Sequence, residues 1–394
     1  MSRQASRTPR RSLTGYIEFY NEPDWLHHIQ QVISGREPRV QPEELYQWYV
    51  PYYEAANVVN AELDASARIK VGGPTLASFD NEPWIATFLD GYAADINPDK
   101  RLDFVSWHAY GFFDRDNGYR FEQYKENPSV VATQRARLYA MLKERDITEH
   151  IPAFVTETGI YPGGLVDERN NMNDWLRQAA GVASLHYWYA DQPMTIPFHW
   201  TVRHGTARRK DQLVTLRGEG ETTPPDTFTP YGNLMVMQSM MKDTRVSATS
   251  DSLVNGQGVY AMASKDASGA SVMVWNYQTF RGGETAFEAT LDMTNLPADL
   301  RDGAVRKQVF LIDSQTSNYW ANPATANLQR VDDQLLDLGA SYSKVLQLDP
   351  NAIHLILLEP ATKDHCKDGG WRDFEFRNQG QCVRFVTTGQ DSRG

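Results

Sequence analysis

The chain has 394 residues, of which 41% are hydrophobic and 11% aromatic, enough to bury one large core and a smaller second one. Its 39 basic and 50 acidic side chains give a net charge of −11, which argues against a nucleic-acid partner because phosphate binding needs a surplus of Lys and Arg. No run approaches the roughly 18 apolar residues of a membrane-spanning helix, so the sequence predicts no membrane partner.

Residues 1–14 carry four arginines but lack the apolar stretch that is typical of a secretory signal. We therefore predict a disordered leader over this range. The first structural element is expected to begin at residue 15.

Between residue 15 and about residue 244, short β-prone runs alternate with helical ones. Strands are predicted at 15–20, 68–73, 102–108, 152–157 and 195–200, and helices are predicted to begin near residues 41, 81, 129, 173 and 231. This α/β alternation predicts parallel strands with helices outside them. A complete barrel has eight such units, so we expect a partial (β/α)8 TIM barrel, strands 4 to 8, in a chain that lacks on the order of 90 residues at its N-terminus. The alternative, an open five-stranded sheet, would leave a parallel edge exposed.

The first long helix has a recognisable start and one apolar stripe. It opens on Gln41-Pro42-Glu43-Glu44, with proline in the first turn and acids near the positive end of the helix. Helical spacing predicts a buried face made of Leu45, Trp48, Tyr49, Tyr52, Ala56 and Val59.

After residue 244 the chain consists of strands separated by turns, predicted at 258–263, 271–277, 307–312 and 352–358. Strands without intervening helices predict an antiparallel β-sandwich over residues 245–362. The tail, 363–394, holds both cysteines of the chain, Cys366 and Cys382. A disulfide between them would indicate a secreted or periplasmic protein, and two free thiols are the alternative.

Two β-prone runs end on a glutamate, Glu22 in the first predicted strand and Glu157 in the fourth. Parallel strands that end together can direct two carboxyl groups at one substrate bond, so we predict that both glutamates are catalytic. For Glu157 the alternative is a structural ion pair. Strand alternation predicts two sets of side chains that each share one face: Tyr16, Glu18, Tyr20 and Glu22 in the first strand, and Ala153, Val155 and Glu157 in the fourth.

The tripeptide Asn-Glu-Pro occurs twice, at residues 21–23 and 81–83. The second copy precedes a helical run, where Asp80 or Asn81 would cap the helix, Glu82 would favour its dipole and Pro83 would lie in the first turn. The first copy ends a strand. We therefore predict a structural role for Glu82 and a catalytic one for Glu22.

Three further strand-end residues are candidate substrate-binding groups. His108 and Tyr110 could hydrogen-bond a carboxylate or a sugar hydroxyl, and plain packing is the alternative. Trp200 could supply an aromatic face for a sugar ring, although aromatic side chains are as often part of a core.

These residues together resemble the retaining (β/α)8 glycoside hydrolases of clan A, and the C-terminal sandwich resembles that of family 39 β-xylosidases and iduronidases and of family 86 agarases and porphyranases. The resemblance covers about residues 15–360. It implies that Glu22 is the acid/base, that Glu157 is the nucleophile and that Asn21 binds the hydroxyl next to the anomeric carbon. It also implies hydrolysis of O-glycosidic bonds in a poly- or oligosaccharide.

No cofactor or metal is predicted, because the sequence has no His-Glu-x-x-His, phosphate loop or dinucleotide fingerprint. We expect Tyr110 to donate a hydrogen bond that helps to keep Glu157 ionised. Two other classes remain open: a carbohydrate-binding or inactive homologue of a glycosidase, and a barrel enzyme acting on another bond such as an ester. The second would be favoured by a Gly-x-Ser-x-Gly motif, which the sequence does not contain.

Overall fold

The computed structural model describes residues 15–110, 127–148, 150–160, 172–202, 212–214, 227–279 and 284–393. The predicted disordered leader lies outside these residues. Two compact units divide the chain: the first comprises 1–110, 130–158 and 188–199, and the second comprises 111–129, 159–187 and 200–394. The domain limits predicted at residues 244 and 362 stay predictions.

A sheet of five strands forms the centre of the first unit. The strands lie side by side in chain order, as β1 (Tyr16–Glu18), β2 (Lys70–Leu76), β3 (Phe104–Tyr110), β4 (Ala153–Gly159) and β5 (Thr195–His199). Helices α1 (Pro23–His28), α2 (Leu45–Ala61), α3 (Glu82–Ala94) and α4 (Val130–Lys143) lie between these strands in the chain, and a π-helical turn, Ile29–Ile33, extends α1. This parallel arrangement confirms the predicted partial (β/α)8 barrel.

The sheet is strongly curled. Two strands separate β1 from β4, so a flat sheet would hold these strands about 14 Å apart. Yet the rings of Tyr16 and Phe154 lie 5.3 Å apart between centroids, and the Thr156 hydroxyl donates a 2.7 Å hydrogen bond to Glu18. The inner side chains of β1 and β4 thus meet across the concave face of the sheet.

Helix α2 buries only part of the predicted face, because Leu45, Tyr49 and Ala56 are buried as expected and the other three residues are not. Trp48, Tyr52 and Val59 are 40%, 42% and 45% exposed, so their assignment to the buried face is wrong. Tyr46 and Tyr53 lie on the buried face instead, because each donates a 2.7 Å hydrogen bond to the Asp95 carboxylate that follows α3. The buried residues of α2 are Leu45, Tyr46, Tyr49, Tyr53, Ala56 and Asn60.

The second unit contains the predicted sandwich. Its strands are β6 (Thr244–Val246), β7 (Gly258–Asp266), β8 (Gly269–Tyr277), β9 (Phe287–Met293), β10 (Ala304–Ile312), β11 (Gln329–Asp337), β12 (Tyr342–Leu348) and β13 (Ile353–Pro360). A six-stranded antiparallel sheet, in the order β11-β10-β13-β8-β7-β6, shares one apolar core with a two-stranded antiparallel sheet of β9 and β12. This arrangement confirms the antiparallel sandwich.

The second unit also contains helices. These are α5 (Met172–Tyr189), α6 (Pro230–Ser239) and the short α7 (Ala298–Arg301). The indole of Trp275 in β8 donates to the Ser184 hydroxyl of α5 at 2.8 Å, which satisfies both buried polar groups. None of the described helices is long and apolar enough to cross a membrane.

The C-terminal tail is a small disulfide-linked cluster. It comprises a 3-10 turn, Lys363–Cys366, followed by α8 (Gly370–Asp373) and α9 (Gln379–Thr388). Cys366 and Cys382 form a disulfide and are both fully buried, which confirms the bridge over the free-thiol alternative. Phe374, Phe376 and Phe385 pack around the bridge and against Ala304 and Leu335 of the sandwich.

We predict that replacing both cysteines by serine loosens this tail. The bridge closes a loop between positions 16 residues apart, for which chain entropy gives about 3 kcal/mol of stabilisation. Hydrogen exchange should be faster in residues 363–388 of the variant than in the wild type and unchanged in β1 to β5. Equal exchange in both proteins would contradict the predicted contribution of the bridge.

Candidate active site

Strand β3 presents alternate side chains to the concave face of the sheet. Phe104 joins the aromatic contacts there, and His108 and Tyr110 follow at alternate positions. Trp107 points to the opposite face, where its indole donates to Gln134 of α4 at 3.2 Å. The carboxyl end of β3 therefore carries His108 and Tyr110 at the end of the barrel where active sites lie.

Glu157 reaches the concave face by a route that alternation does not predict. Phe154 and Thr156 of β4 face the concave side, so regular alternation would turn Glu157 away from it, together with Ala153 and Val155. Between residues 155 and 158, however, β4 advances three residues while β5 advances two. This bulge redirects the Glu157 side chain. The predicted shared face of Ala153, Val155 and Glu157 is therefore wrong.

Glu22 also leaves the predicted alternation. Strand β1 ends at Glu18, and the next turn contains two left-handed residues, Tyr20 with φ 68° and Glu22 with φ 49°. Tyr20 consequently lies beside Trp48 of α2, with ring centroids 6.1 Å apart. Of the four residues predicted to share the inner face, Tyr16 and Glu18 do so through the strand, whereas Glu22 is the N-cap residue of α1.

Bonds to the end of β2 and to the segment after it hold this unusual backbone. The Glu22 amide donates to the Thr75 carbonyl at 2.9 Å. Two residues later, the buried Asp24 carboxylate accepts from the Ala77 amide at 2.8 Å and from the Asn81 side chain at 3.3 Å. Burial raises the pKa of Asp24 and outweighs these hydrogen bonds, which lower it. The left-handed position of Glu22 is thus fixed by its surroundings.

The two glutamates converge on one imidazole. His108 Nδ1 lies 2.8 Å from Glu22 Oε1 and 3.5 Å from Glu157 Oε2. Contacting oxygens of the two carboxylates lie within 4.8 Å of each other. The His108 side chain is 1% exposed, whereas those of Glu22 and Glu157 are 25% and 17% exposed, so the carboxylates alone of the three can meet a ligand.

The electrostatics of the site differ in one respect from the sequence-based expectation. Tyr110 does donate to Glu157 Oε2, at 2.5 Å. Burial nevertheless raises the pKa of Glu157, and the charges of Glu22 and Glu18 add to this, so that together they exceed the opposing effects of His108 and Tyr110. Tyr110 therefore limits the rise of the pKa but does not reverse it.

His108 responds in the complementary way. Burial lowers the pKa of the imidazole, but the hydrogen bond that it donates to Glu22 and the charges of Glu157, Glu22 and Glu18 raise it by more, so the net direction is upward. A buried imidazolium between carboxylates is the arrangement expected, because each charge offsets the desolvation of the other. Glu22, His108 and Glu157 each place one potential ligand atom within 4.8 Å of the others, and metal binding there would require the neutral imidazole.

Two other residues predicted for the site come after the ends of β1 and β5. Asn21 is exposed, and Trp200, 36% exposed, directly follows β5. Their roles in sugar binding stay predictions.

The second Asn-Glu-Pro copy lies at a helix start, as expected. Glu82 is in the first turn of α3 and forms an exposed ion pair with Arg137 of α4 at 3.1 Å. Asn81 occupies the N-cap position, but its side chain makes no capping bond within the described residues and donates to Asp24 instead. The predicted capping by Asn81 is therefore wrong.

Two contributors were missed from the sequence: Asp24, which anchors α1, and Thr156, which holds Glu18. Asp24 follows Asn-Glu-Pro directly and would have been read as an acid in the first turn of a helix. Thr156 looks like an ordinary strand residue. No local pattern distinguishes either, because their partners lie 53 and 138 positions away in the chain.

Comparison with solved structures identifies the fold. The family 39 glycoside hydrolase from Xanthomonas axonopodis pv. citri matches with a TM-score of 0.59 and 15% identity over 88% of this chain and 68% of its own. A bacterial orthologue of human α-L-iduronidase matches with a TM-score of 0.63 and 13% identity, over 88% and 62%. The family 86 β-porphyranase from Bacteroides plebeius matches with a TM-score of 0.54 and 15% identity, over 88% and 56%.

These matches confirm the predicted likeness to families 39 and 86 at the level of the fold. The chain spans about 56% to 68% of the length of the enzymes from these two families. No protein-family model matches the sequence. No curated protein matches it either.

We predict that Tyr110→Phe raises the pKa of Glu157 further, because the variant removes a hydrogen bond that stabilises the ionised carboxylate. Carbon-13 NMR titration of glutamate-labelled protein should show the Glu157 midpoint at higher pH than in the wild type. Tyr92→Phe, in the same unit, is the matched control and should leave this midpoint in place. A lower or unchanged midpoint in Tyr110→Phe would contradict the assigned bond.

Proposed function

We propose that this protein is a retaining glycoside hydrolase, with Glu157 as the nucleophile and Glu22 as the acid/base. The approach of the two carboxylates to within 4.8 Å carries this proposal. Retaining enzymes hold their carboxyl groups about 5 to 5.5 Å apart, whereas inverting enzymes need about 6.5 to 9.5 Å to admit a water molecule. The spacing therefore favours direct attack by a carboxylate.

Glu157 attacks the anomeric carbon and forms a glycosyl ester, which water then cleaves. Its ionised form is the nucleophile, and Tyr110 and His108 both stabilise that form. Tyr110 also fixes one carboxylate oxygen, so the other is free to face the sugar. This role for Tyr110 needs no direct contact with substrate.

Glu22 protonates the leaving oxygen and later removes a proton from the attacking water. The 2.8 Å bond between Glu22 Oε1 and His108 Nδ1 places one proton between a carboxylate and an imidazole. When that proton lies on Glu22, the carboxylic acid is ready to donate it and the imidazole is neutral. His108 thus supplies and receives the proton without contacting the sugar.

The substrate class is an O-glycoside of a poly- or oligosaccharide, consistent with polysaccharide degradation. Asn21 precedes the acid/base and would bind the hydroxyl beside the anomeric carbon, and Trp200 would offer a face to the sugar ring. The enzymes with the same fold include one described as an orthologue of α-L-iduronidase and one as a β-porphyranase. Support for this substrate class is the shared fold together with the paired carboxylates.

We further propose that the protein works in a secreted or periplasmic setting. The buried Cys366–Cys382 bridge supports this proposal, because disulfides persist mainly in oxidising compartments.

Azide should distinguish the two glutamates. Glu157→Ala lacks the nucleophile, so azide can attack the anomeric carbon from the vacated side and give a glycosyl azide of inverted configuration. Glu22→Ala still forms the glycosyl ester from an aryl glycoside with a good leaving group, and azide then displaces Glu157 with net retention. The anomeric configuration of each azide product is read by proton NMR.

The opposite pattern of configurations would exchange the two roles. Wild-type rates in both variants would refute the catalytic assignment. Sugar binding by the wild-type protein without hydrolysis of any aryl glycoside or oligosaccharide tested would favour the carbohydrate-binding alternative.

The two Asn-Glu-Pro copies provide a matched pair of substitutions. Glu22→Gln should reduce kcat by at least about 100-fold for substrates with poor leaving groups, since general acid catalysis typically contributes that much. Glu82→Gln removes an equal charge from an exposed ion pair and should leave kcat unchanged. Steady-state kinetics with poor and good leaving groups measures both, and loss of activity in Glu82→Gln alone would show that the wrong copy was chosen.

A further inference from the structure

Glu18 is an unusual side chain for its place in the fold. It lies on the inner face of β1, within hydrogen-bond reach of the residue that precedes Glu157, where barrel interiors are dominated by branched apolar residues. Its Oε1 accepts a 2.7 Å hydrogen bond from Thr156, the residue that precedes Glu157 on β4. This bond crosses the concave face from β1 to β4.

We propose, on the basis of the function proposed above, that Glu18 is a positioning residue: a third carboxylate that does not react and that stabilises His108 as the imidazolium between the two catalytic glutamates.

The charges around His108 support this role. Four elements contribute titratable side chains near His108: β1 gives Glu18, the start of α1 gives Glu22 and Asp24, β3 gives Tyr110, and β4 gives Glu157. The Asp24 carboxylate is engaged elsewhere, because it accepts hydrogen bonds from Ala77 and Asn81. Like Glu22, Glu18 acts on both His108 and Glu157, because its charge raises the pKa of each. A positive imidazole is thereby favoured beside carboxylates that would otherwise repel one another.

Thr156 explains why Glu18 stays in this position. A carboxylate that is partly removed from water needs hydrogen-bond donors, and the Thr156 hydroxyl supplies one from the neighbouring face of the curled sheet. Because Thr156 and Glu157 are consecutive, the bond also ties Glu18 to the bulge that orients the proposed nucleophile.

The test separates charge from hydrogen bonding. Glu18→Gln keeps the size of the side chain and an oxygen that can accept from Thr156, but it removes the charge. Glu18→Asp keeps the charge on a shorter side chain. Imidazole NMR titration of the full chain, with the His108 resonance assigned through His108→Asn, measures the midpoint directly and requires no turnover.

We expect the His108 midpoint to move to lower pH in Glu18→Gln and to return towards the wild-type value in Glu18→Asp. Glu82→Gln, which removes an exposed charge in the same unit, is the control and should leave the midpoint unchanged. Equal midpoints in the wild type and Glu18→Gln would overturn the proposal. So would equal shifts in the Gln and Asp variants, since that result would indicate a structural role.

Activity provides a second and separable readout. If the protein hydrolyses glycosides, the acid limb of kcat/KM, which reports ionisation of Glu157, should move to lower pH in Glu18→Gln because a neighbouring negative charge has been removed. Absence of hydrolysis in the wild type would refute the proposed function, whereas the His108 midpoints would still decide the electrostatic role of Glu18.

Discussion

The curl of the five-stranded sheet is the constraint on which the site depends. Side chains of β1 and β4 meet across two intervening strands, as rings at Tyr16 and Phe154 and as a hydrogen bond between Glu18 and Thr156. In a flat sheet these pairs would be separated by about 14 Å, and the carboxylates that follow them would be independent surface groups. Curling the sheet brings Glu22 and Glu157 to one side chain, His108, and thus converts two strand ends into a single chemical site.

Convergence creates an electrostatic problem that His108 solves. Burial and the neighbouring carboxylates raise the pKa of Glu157. Without a compensating positive charge, its neutral form would be favoured still more. The imidazole is almost completely buried and lies within 3.5 Å of an oxygen from each of the two glutamates. Proton sharing within this cluster, rather than the pKa of one isolated residue, is therefore the property that would set the pH range of the proposed hydrolysis.

Local backbone irregularities give the site its geometry. Glu22 adopts a left-handed conformation that its Thr75 contact and the Asp24 anchor maintain, and Glu157 is turned inward by a bulge between β4 and β5. Neither position follows from regular strand geometry. Strain and bulges of this kind are common where a side chain must be re-aimed, and they depend on hydrogen bonds between segments that are distant in sequence.

The sequence by itself determined the alternation of strands and helices up to about residue 244 and the change to an antiparallel sandwich after it, because hydrophobic period is a local property. It showed that the tail holds two cysteines, but only the structure decided that they form a disulfide. It also identified His108, Tyr110 and Glu157 at the ends of strands, and Glu22 in the segment that follows the first strand. Only the tertiary structure decided how these groups meet, since the predicted alternation fails at Glu22 and at Glu157 and the predicted buried face of α2 is rotated by its tyrosine contacts to Asp95. The same is true of the Glu18–Thr156 bond, which links positions 138 residues apart. Periodicity specifies which side of a regular element is apolar, but bulges, positive φ angles and contacts across the sheet arise from packing between elements, and the direction of a single functional side chain depends on them.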